Sequence, residues 1–153
     1  MKNKNTKPRV IDFFCGAGGF SEGFRQQGFN VIMGIDYWQP AIDTHNLNHG
    51  LKDITKNVLD FWGESSGDVD EINKLPETDV LVGSPSCVSF SMSNKAGKAD
   101  KTNGIKLIET YLRVVAVKKY KNKSILKAWY MENVPQSKPH IKAEYCRSQP
   151  MAY

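Results

Sequence analysis

Apolar residues along this 153-residue chain gather in short runs separated by glycine turns and amphipathic stretches. The first run, Arg9-Val10-Ile11-Asp12-Phe13-Phe14, is broken by the glycines of CGAGGFSEGF. That spacing predicts a buried strand, a glycine turn and a helix over SEGFRQQG. FNVIMGID predicts a second strand ending on Asp36, and Pro40 to Asn48 a second helix with proline in its first turn. Leu51 to Thr55 is expected as a short third strand, and the acidic stretch Glu64 to Glu77 as helix and loop. Asp79 to Val82 predicts a fourth strand. Ile105 to Lys118 carries Ile105, Leu107, Ile108, Leu112, Val115 and Ala116 at helical spacing, and Ala128 to Met131 predicts a fifth strand. Strands that alternate with helices imply an α/β fold, a mostly parallel sheet with helices on both faces and right-handed crossovers. After MENVPQ the pattern fades, so the sheet is expected to stop at about five strands with an open, apolar edge.

Between the fourth strand and its helix lies VGSPSCVSFSMSNKAGKADKTNG, too polar and glycine-dotted for either element, with Cys87 near its start. A hydrophobic share of 40% is enough for one core, hence one domain. The formal charge of +5 and a pI near 9.1 fit a polyanionic partner without demanding one. Cys15, Cys87 and Cys146 are odd in number and widely spaced, with no C-x-x-C pair, which points to free thiols in a reducing cytoplasm. Met1 to Arg9 leads into no long apolar segment, so neither a signal peptide nor a membrane span is expected.

Gly16, Gly18 and Gly19 allow backbone amides to approach a ligand at the start of a helix whose dipole favours anions. Ser21 stands where a dinucleotide fingerprint has its third glycine. Asp36 ends the next strand, where a carboxylate accepts from ribose hydroxyls, and Phe14 and Tyr37 are placed to sandwich an adenine. A tight turn beside a solvated aspartate remains the alternative. A nicotinamide oxidoreductase is disfavoured, because nothing in the chain offers a hydride-transfer site.

Four ordered motifs extend this picture. DFFCGAGGFSEGF, GIDYWQPAIDTHNLNH, GSPSCVSFS and MENVP together resemble the DNA (cytosine-5) methyltransferases, over nearly the whole chain. The resemblance implies a Rossmann-like methyltransferase fold. It assigns S-adenosyl-L-methionine to Phe14, Gly16, Gly18, Gly19, Asp36 and Tyr37, with Asp53 accepting from the adenine amino group and Ile54 packing on the ring. It implies Cys87 as the nucleophile and Glu132 as the acid at ring nitrogen 3, with Asn133 fixing local geometry. The chemistry needs such a pair: carbon 5 of cytosine is a poor nucleophile until a thiolate adds at carbon 6. The charge that enters the ring then calls for a proton donor. The base must leave the duplex, so the loop from Ser84 to Gly104 is expected to close over it, with Ser89, Ser91, Lys95, Lys98 and Lys101 meeting phosphates of double-stranded DNA.

The match departs from the family beside the nucleophile. Ser86 and Val88 flank Cys87 where proline and often glutamine are usual, while Pro85 is retained; altered loop rigidity is the expected consequence. Residues 1–153 are expected to form the front portion of a catalytic domain, without a target-recognition domain. A second chain carrying the later motifs, or a truncated remnant, accounts for the rest. The leading function is cytosine-5 methylation of DNA in bacterial restriction-modification. A non-catalytic subunit that binds cofactor or a partner chain is the alternative, and tRNA stays open as substrate. The Lys-rich KKYKNKS from Lys118 is expected as a solvated helix end.

Overall fold

The computed structural model describes residues 6–63, 66–88, 90 and 101–141. In chain order these form β1 (Arg9–Phe13), α1 (Gly19–Gln26), β2 (Asn30–Ile35), α2 (Gln39–His49), a 3-10 turn (Val58–Phe61), α3 (Ser66–Lys74), β3 (Val80–Gly83), α4 (Thr102–Tyr120), β4 (Ala128–Met131) and a second 3-10 turn (Pro135–His140). The four strands make one sheet in the order β2-β1-β3-β4, with every pairing parallel.

Strand alternation sorts the side chains onto two faces. Ile11, Phe13 and Leu81 join the larger core, closed by Phe61 of the first 3-10 turn, Ile72 of α3, and Ile108, Tyr111 and Val115 of α4. Val10, Val80 and Val82 point the other way and, with Val31, meet Phe24 of α1 and Phe29. Both faces are therefore covered, as the α/β pattern requires. A register shift between Val10 and Ile11 puts Met33, not Ile32, opposite Ile11.

Two expectations are corrected. The stretch Leu51 to Thr55 is not a strand, and the described sheet has four strands rather than five. Side chains have taken the backbone groups that a strand would use. The Asp53 carboxylate accepts from Gly34 N of β2 at 2.7 Å, and the Asn46 amide brackets Asp53, donating to its carbonyl at 2.8 Å and accepting from its N–H at 2.9 Å. The end of α4 is also not simply solvated. Lys118 is 2% exposed, and its ammonium donates to the carbonyls of Leu75 at 2.6 Å and Pro76 at 3.2 Å. It reaches Glu77 as well, which pairs with Lys121. Burial pushes the pKa of Lys118 down, and Glu77 opposes that shift. Helix α4 moreover begins at Thr102, three residues before the apolar periodicity becomes visible.

Parallel strands bring all their carboxyl ends to one edge of the sheet, where ligands of open α/β sheets bind. The glycine turn, Asp36, the segment from Ser84 to Cys87 and Glu132 all follow directly on strands at that edge.

Candidate active site

The turn after β1 winds through three left-handed residues: Phe14 at φ 58°, Gly16 at 52° and Gly18 at 96°. Gly18 is needed for space as well as for conformation. A Cβ there would lie 2.3 Å from His49 Nε2 and 3.0 Å from His45 Cδ2. Gly16 and Gly19 instead face open space, which leaves room for a ligand against the backbone. Asp36 braces the turn: one carboxylate oxygen accepts from Gly16 N at 3.1 Å, the other from Trp38 N at 3.0 Å. Beyond it, Tyr37 is 74% exposed and Ile54 is 80% exposed, two large apolar surfaces without a cover among the described residues.

Beneath the turn runs a buried polar chain that the motif comparison passes over. Asp12 Oδ2 accepts from Ser21 N at 3.1 Å and from its hydroxyl at 2.7 Å. The same hydroxyl lies 3.0 Å from His45 Nε2, and His45 Nδ1 lies 3.8 Å from Asp53 Oδ2. Burial drives the ionisable groups toward neutrality: Asp12 rises to about 7 against its bonds from Ser21, and His45 falls to about 4, with His49 adding to the effect. Ser21, which only spoils a glycine pattern in the sequence, is the hub of this chain. Its serine at the first turn of α1, nine residues after a buried strand aspartate, was the available signal.

Cys15 and Cys87 differ in kind. Cys15 is buried, and desolvation together with Asp12, Asp36 and Asp53 pushes its thiol pKa well up, which makes it inert as a nucleophile. Cys87 is a free cysteine with partial exposure, in a turn closed by the Phe90 N–H donating to its carbonyl at 2.9 Å. The turn is anchored by buried Pro85 and Phe90. Glu132 continues from β4, its N–H donating to Gly83 O at 3.0 Å and its carboxylate accepting from the Ser84 hydroxyl at 3.0 Å. Asn133 then ties the two strand ends together by donating to Pro85 O at 3.0 Å. Below them the Tyr111 hydroxyl donates to Tyr130 O at 2.7 Å, and the ring sits so close under Gly83 that a Cβ there would be 2.8 Å away.

A cleft of about 300 Å³ joins the two parts of the site, lined by Phe14, Cys15, Phe20, Ser84 and Glu132. The structure thus brings Phe14, Cys15 and Phe20, which flank the turn glycines, to one opening with Ser84 and Glu132, while Gly18 and Gly19 line a separate hollow with Asn48 and His49; Cys87 follows Ser84 on the adjoining turn. Asp53 is turned inward onto Gly34, while Ile54 beside it points outward. Lys101 is exposed at the start of α4. Ser89, Ser91, Lys95, Lys98 and Cys146 lie outside the described residues. Among the described residues, no group of His, Cys, Asp and Glu could hold a metal ion, and no helix is long and apolar enough to cross a membrane.

A family model for C-5 cytosine-specific DNA methylase matches residues 8–148. The type II methyltransferase M.HgiGI of Herpetosiphon aurantiacus is 32% identical over 137 residues, covering 85% of this chain and 93% of that protein. The type II methyltransferase M.XorII of Xanthomonas oryzae pv. oryzae is 33% identical over 111 residues, covering 72% of this chain but only 26% of its own length. The chain spans less than half the length of most such relatives. The Dnmt2 methyltransferase of S. pombe superposes with a TM-score of 0.61 at 22% identity, over 93% of this chain and 39% of that one, and shares the fold.

Proposed function

The chain belongs to the C-5 cytosine-specific DNA methylase family, and from that premise we propose that it carries the cofactor site and the reactive pair of a DNA cytosine-5 methyltransferase. The observation that carries this reading is that Cys87 and Glu132 follow neighbouring parallel strands, beside a cleft whose other wall is Phe14, Cys15 and Phe20 on either side of the turn glycines. S-adenosylmethionine is the methyl donor implied by the family, and when bound it supplies the electrophilic methyl group. The residues fit such a molecule: Gly16 and Gly19 leave open space, Asp36 offers a carboxylate, and Tyr37 and Ile54 present uncovered apolar surface.

Each side chain then has a definite task. The Cys87 thiolate adds to carbon 6 of a cytosine flipped out of the duplex, forming a carbon–sulfur bond. Glu132 gives its proton to ring nitrogen 3, so that the electron pair from the addition is held at carbon 5 rather than as ring charge. After methylation, ring nitrogen 3 returns its proton to Glu132, and loss of the carbon 5 proton to water re-forms the double bond and expels the thiolate. Ser84 and Asn133 hold the carboxylate and the nucleophile's loop to each other.

We assign the whole chain to the front portion of the methyltransferase domain, and double-stranded DNA as the substrate. The relatives named type II methyltransferases support a role in restriction-modification, and we assign the chain to a bacterial cytoplasm. A second reading, a cofactor-binding subunit that acts only with a partner chain, is favoured by β4. It ends the described sheet, and Tyr130 on it is 53% exposed.

The test uses DNA containing 5-fluorocytosine, from which the carbon 5 substituent cannot leave as a proton. With S-adenosylmethionine present, the expected product is a denaturation-resistant protein–DNA adduct, abolished in Cys87→Ala. Methylation that survives Cys87→Ala overturns the mechanism. Donor binding without any adduct favours the second reading.

A further inference from the structure

His45 is completely buried on α2, between the two residues that most need to be glycine. A Cβ on Gly34 would lie 2.5 Å from His45 Cε1 and 2.9 Å from Cys15 Sγ, and one on Gly18 would meet the other side of the ring. The groups that face His45 come from every element around it: Asp12 from β1, Ser21 from α1, His49 from its own helix with ring centroids 4.7 Å apart, Asp36 and Cys15 from the turns, and Asp53 from the segment after α2. Only one of its nitrogens is satisfied. Nε2 meets the Ser21 hydroxyl, whereas buried Nδ1 has no hydrogen-bond partner and stands 3.8 Å from Asp53 Oδ2.

Proton bookkeeping explains the gap. With Asp12 ionised, the Ser21 hydroxyl donates to it and accepts from His45 Nε2–H. The neutral ring then turns a bare lone pair at Nδ1 toward a carboxylate, two acceptors face to face. When one proton enters from solvent at Nδ1, the Nε2 proton passes to Ser21 and the Ser21 proton to Asp12, so each donor in the chain reverses. Asp12 then donates to Ser21, Ser21 donates to Nε2, and Nδ1–H faces Asp53 Oδ2 across 3.8 Å, a gap that has to close by a few tenths of an ångström for a hydrogen bond. One proton enters, the imidazole stays neutral, and a donor rather than a lone pair faces the Asp53 carboxylate.

We propose that His45 is a positioning residue of the cofactor site, exchanging its Nε2–H tautomer for the Nδ1–H tautomer when Asp12 is protonated, so that the charge state of Asp12 is coupled through Ser21 to Asp53 and draws the segment carrying Asp53 and Ile54 toward the glycine turn. The cofactor part of this inference rests on the reading of the site given above. The elevation of Asp12 to about 7 puts the exchange near neutrality, and the depression of His45 to about 4 keeps the ring neutral through it.

Two measurements on the full chain separate the parts. Nitrogen-15 NMR of the histidines, without any ligand, is expected to show His45 passing from the Nε2–H to the Nδ1–H tautomer as pH falls through neutrality, with no imidazolium. A single tautomer throughout, or conversion to imidazolium, overturns the relay. Calorimetric titration with S-adenosylmethionine is expected to give at least about fivefold tighter binding at pH 6.5 than at pH 8.5, and less than about twofold difference in His45→Gln and in Ser21→Ala. The donor's own ionisation is common to all three proteins and cancels in the comparison. Equal pH dependence in the variants overturns the positioning role. A tautomer switch with no donor binding at any pH overturns both that role and the cofactor reading, while leaving the proton relay standing.

Discussion

At the carboxyl ends of β1 and β2 the polar groups are buried and multiply bonded, whereas at the ends of β3 and β4 they stand nearer solvent on single bonds. Asp12, Ser21 and His45 are sealed under the glycine turn, and Asp36 spends both carboxylate oxygens on backbone amides. Glu132 is exposed, with one hydroxyl donor from Ser84, and Cys87 is only partly covered. On the function proposed above, the difference teaches how the labour is divided. A site that holds a recurrent cofactor gains from being built in advance, because ordering costs are then met during folding. A site that receives an extruded base keeps reactive groups open until substrate completes their surroundings.

Substitutions on the two sides should therefore fail in different ways. Cys87→Ala is expected to abolish adduct formation and methyl transfer outright while leaving donor affinity within about twofold, since only the bond-forming group is lost. Glu132→Gln should lower the transfer rate by roughly 10²- to 10⁴-fold, again with donor binding retained; single-turnover rates beside equilibrium titration check both.

On the buried side the expected readout is stability. An acid raised from 3.8 to about 7 contributes stability that is present below 3.8 and lost as pH rises through 7. A histidine lowered from 6.5 to about 4 contributes stability present above 6.5 and lost as pH falls toward 4. Between about pH 4 and 6.5 the two slopes oppose each other, so the contributions of Asp12 and His45 largely cancel there. His45→Gln removes one slope, and its stability relative to wild type in urea denaturation should fall as pH rises by roughly 1.4 kcal/mol per pH unit across that window. The mildest effect is expected from Ser84→Ala, a loss of about 0.5–1.5 kcal/mol of transition-state stabilisation, read as a two- to tenfold drop in rate at unchanged donor affinity. A Ser84 effect on donor binding as large as that on rate would dissolve the distinction between the two sides.

The parts of this molecule that could be read in advance are those specified by local pattern. The apolar runs at Val80 and Ala128 announce their strands, and the glycines after Phe13 announce a turn whose positive φ angles few other residues tolerate. Cys87 and Glu132 came from ordered motifs, since a cysteine after a strand carries no such meaning alone. What stayed hidden depends on side chains meeting across the fold. Leu51 to Thr55 has strand-like residues, but Asn46 and Asp53 settle its hydrogen bonds locally. Lys118 looks like surface until three acceptors from the α3–β3 connection gather around its ammonium. His45 gave no signal, because its importance comes from two glycines that are distant in sequence.

The position of β1 inside the sheet has a consequence for the order of assembly. Its partner on one side, β2, follows almost at once, but pairing with β3 joins residues as far apart as Arg9 and Asp79, 70 positions along the chain. At a synthesis rate of roughly 5–20 residues per second, one edge of β1 waits several seconds for its neighbour to leave the ribosome. During that interval Val10 and Ile11 belong to an unfinished two-stranded ribbon, too small to be stable by itself. The nascent chain is thus most exposed to misassociation before Gly83 emerges, and slowing translation within α3 should lower soluble yield more than the same pause placed after β4.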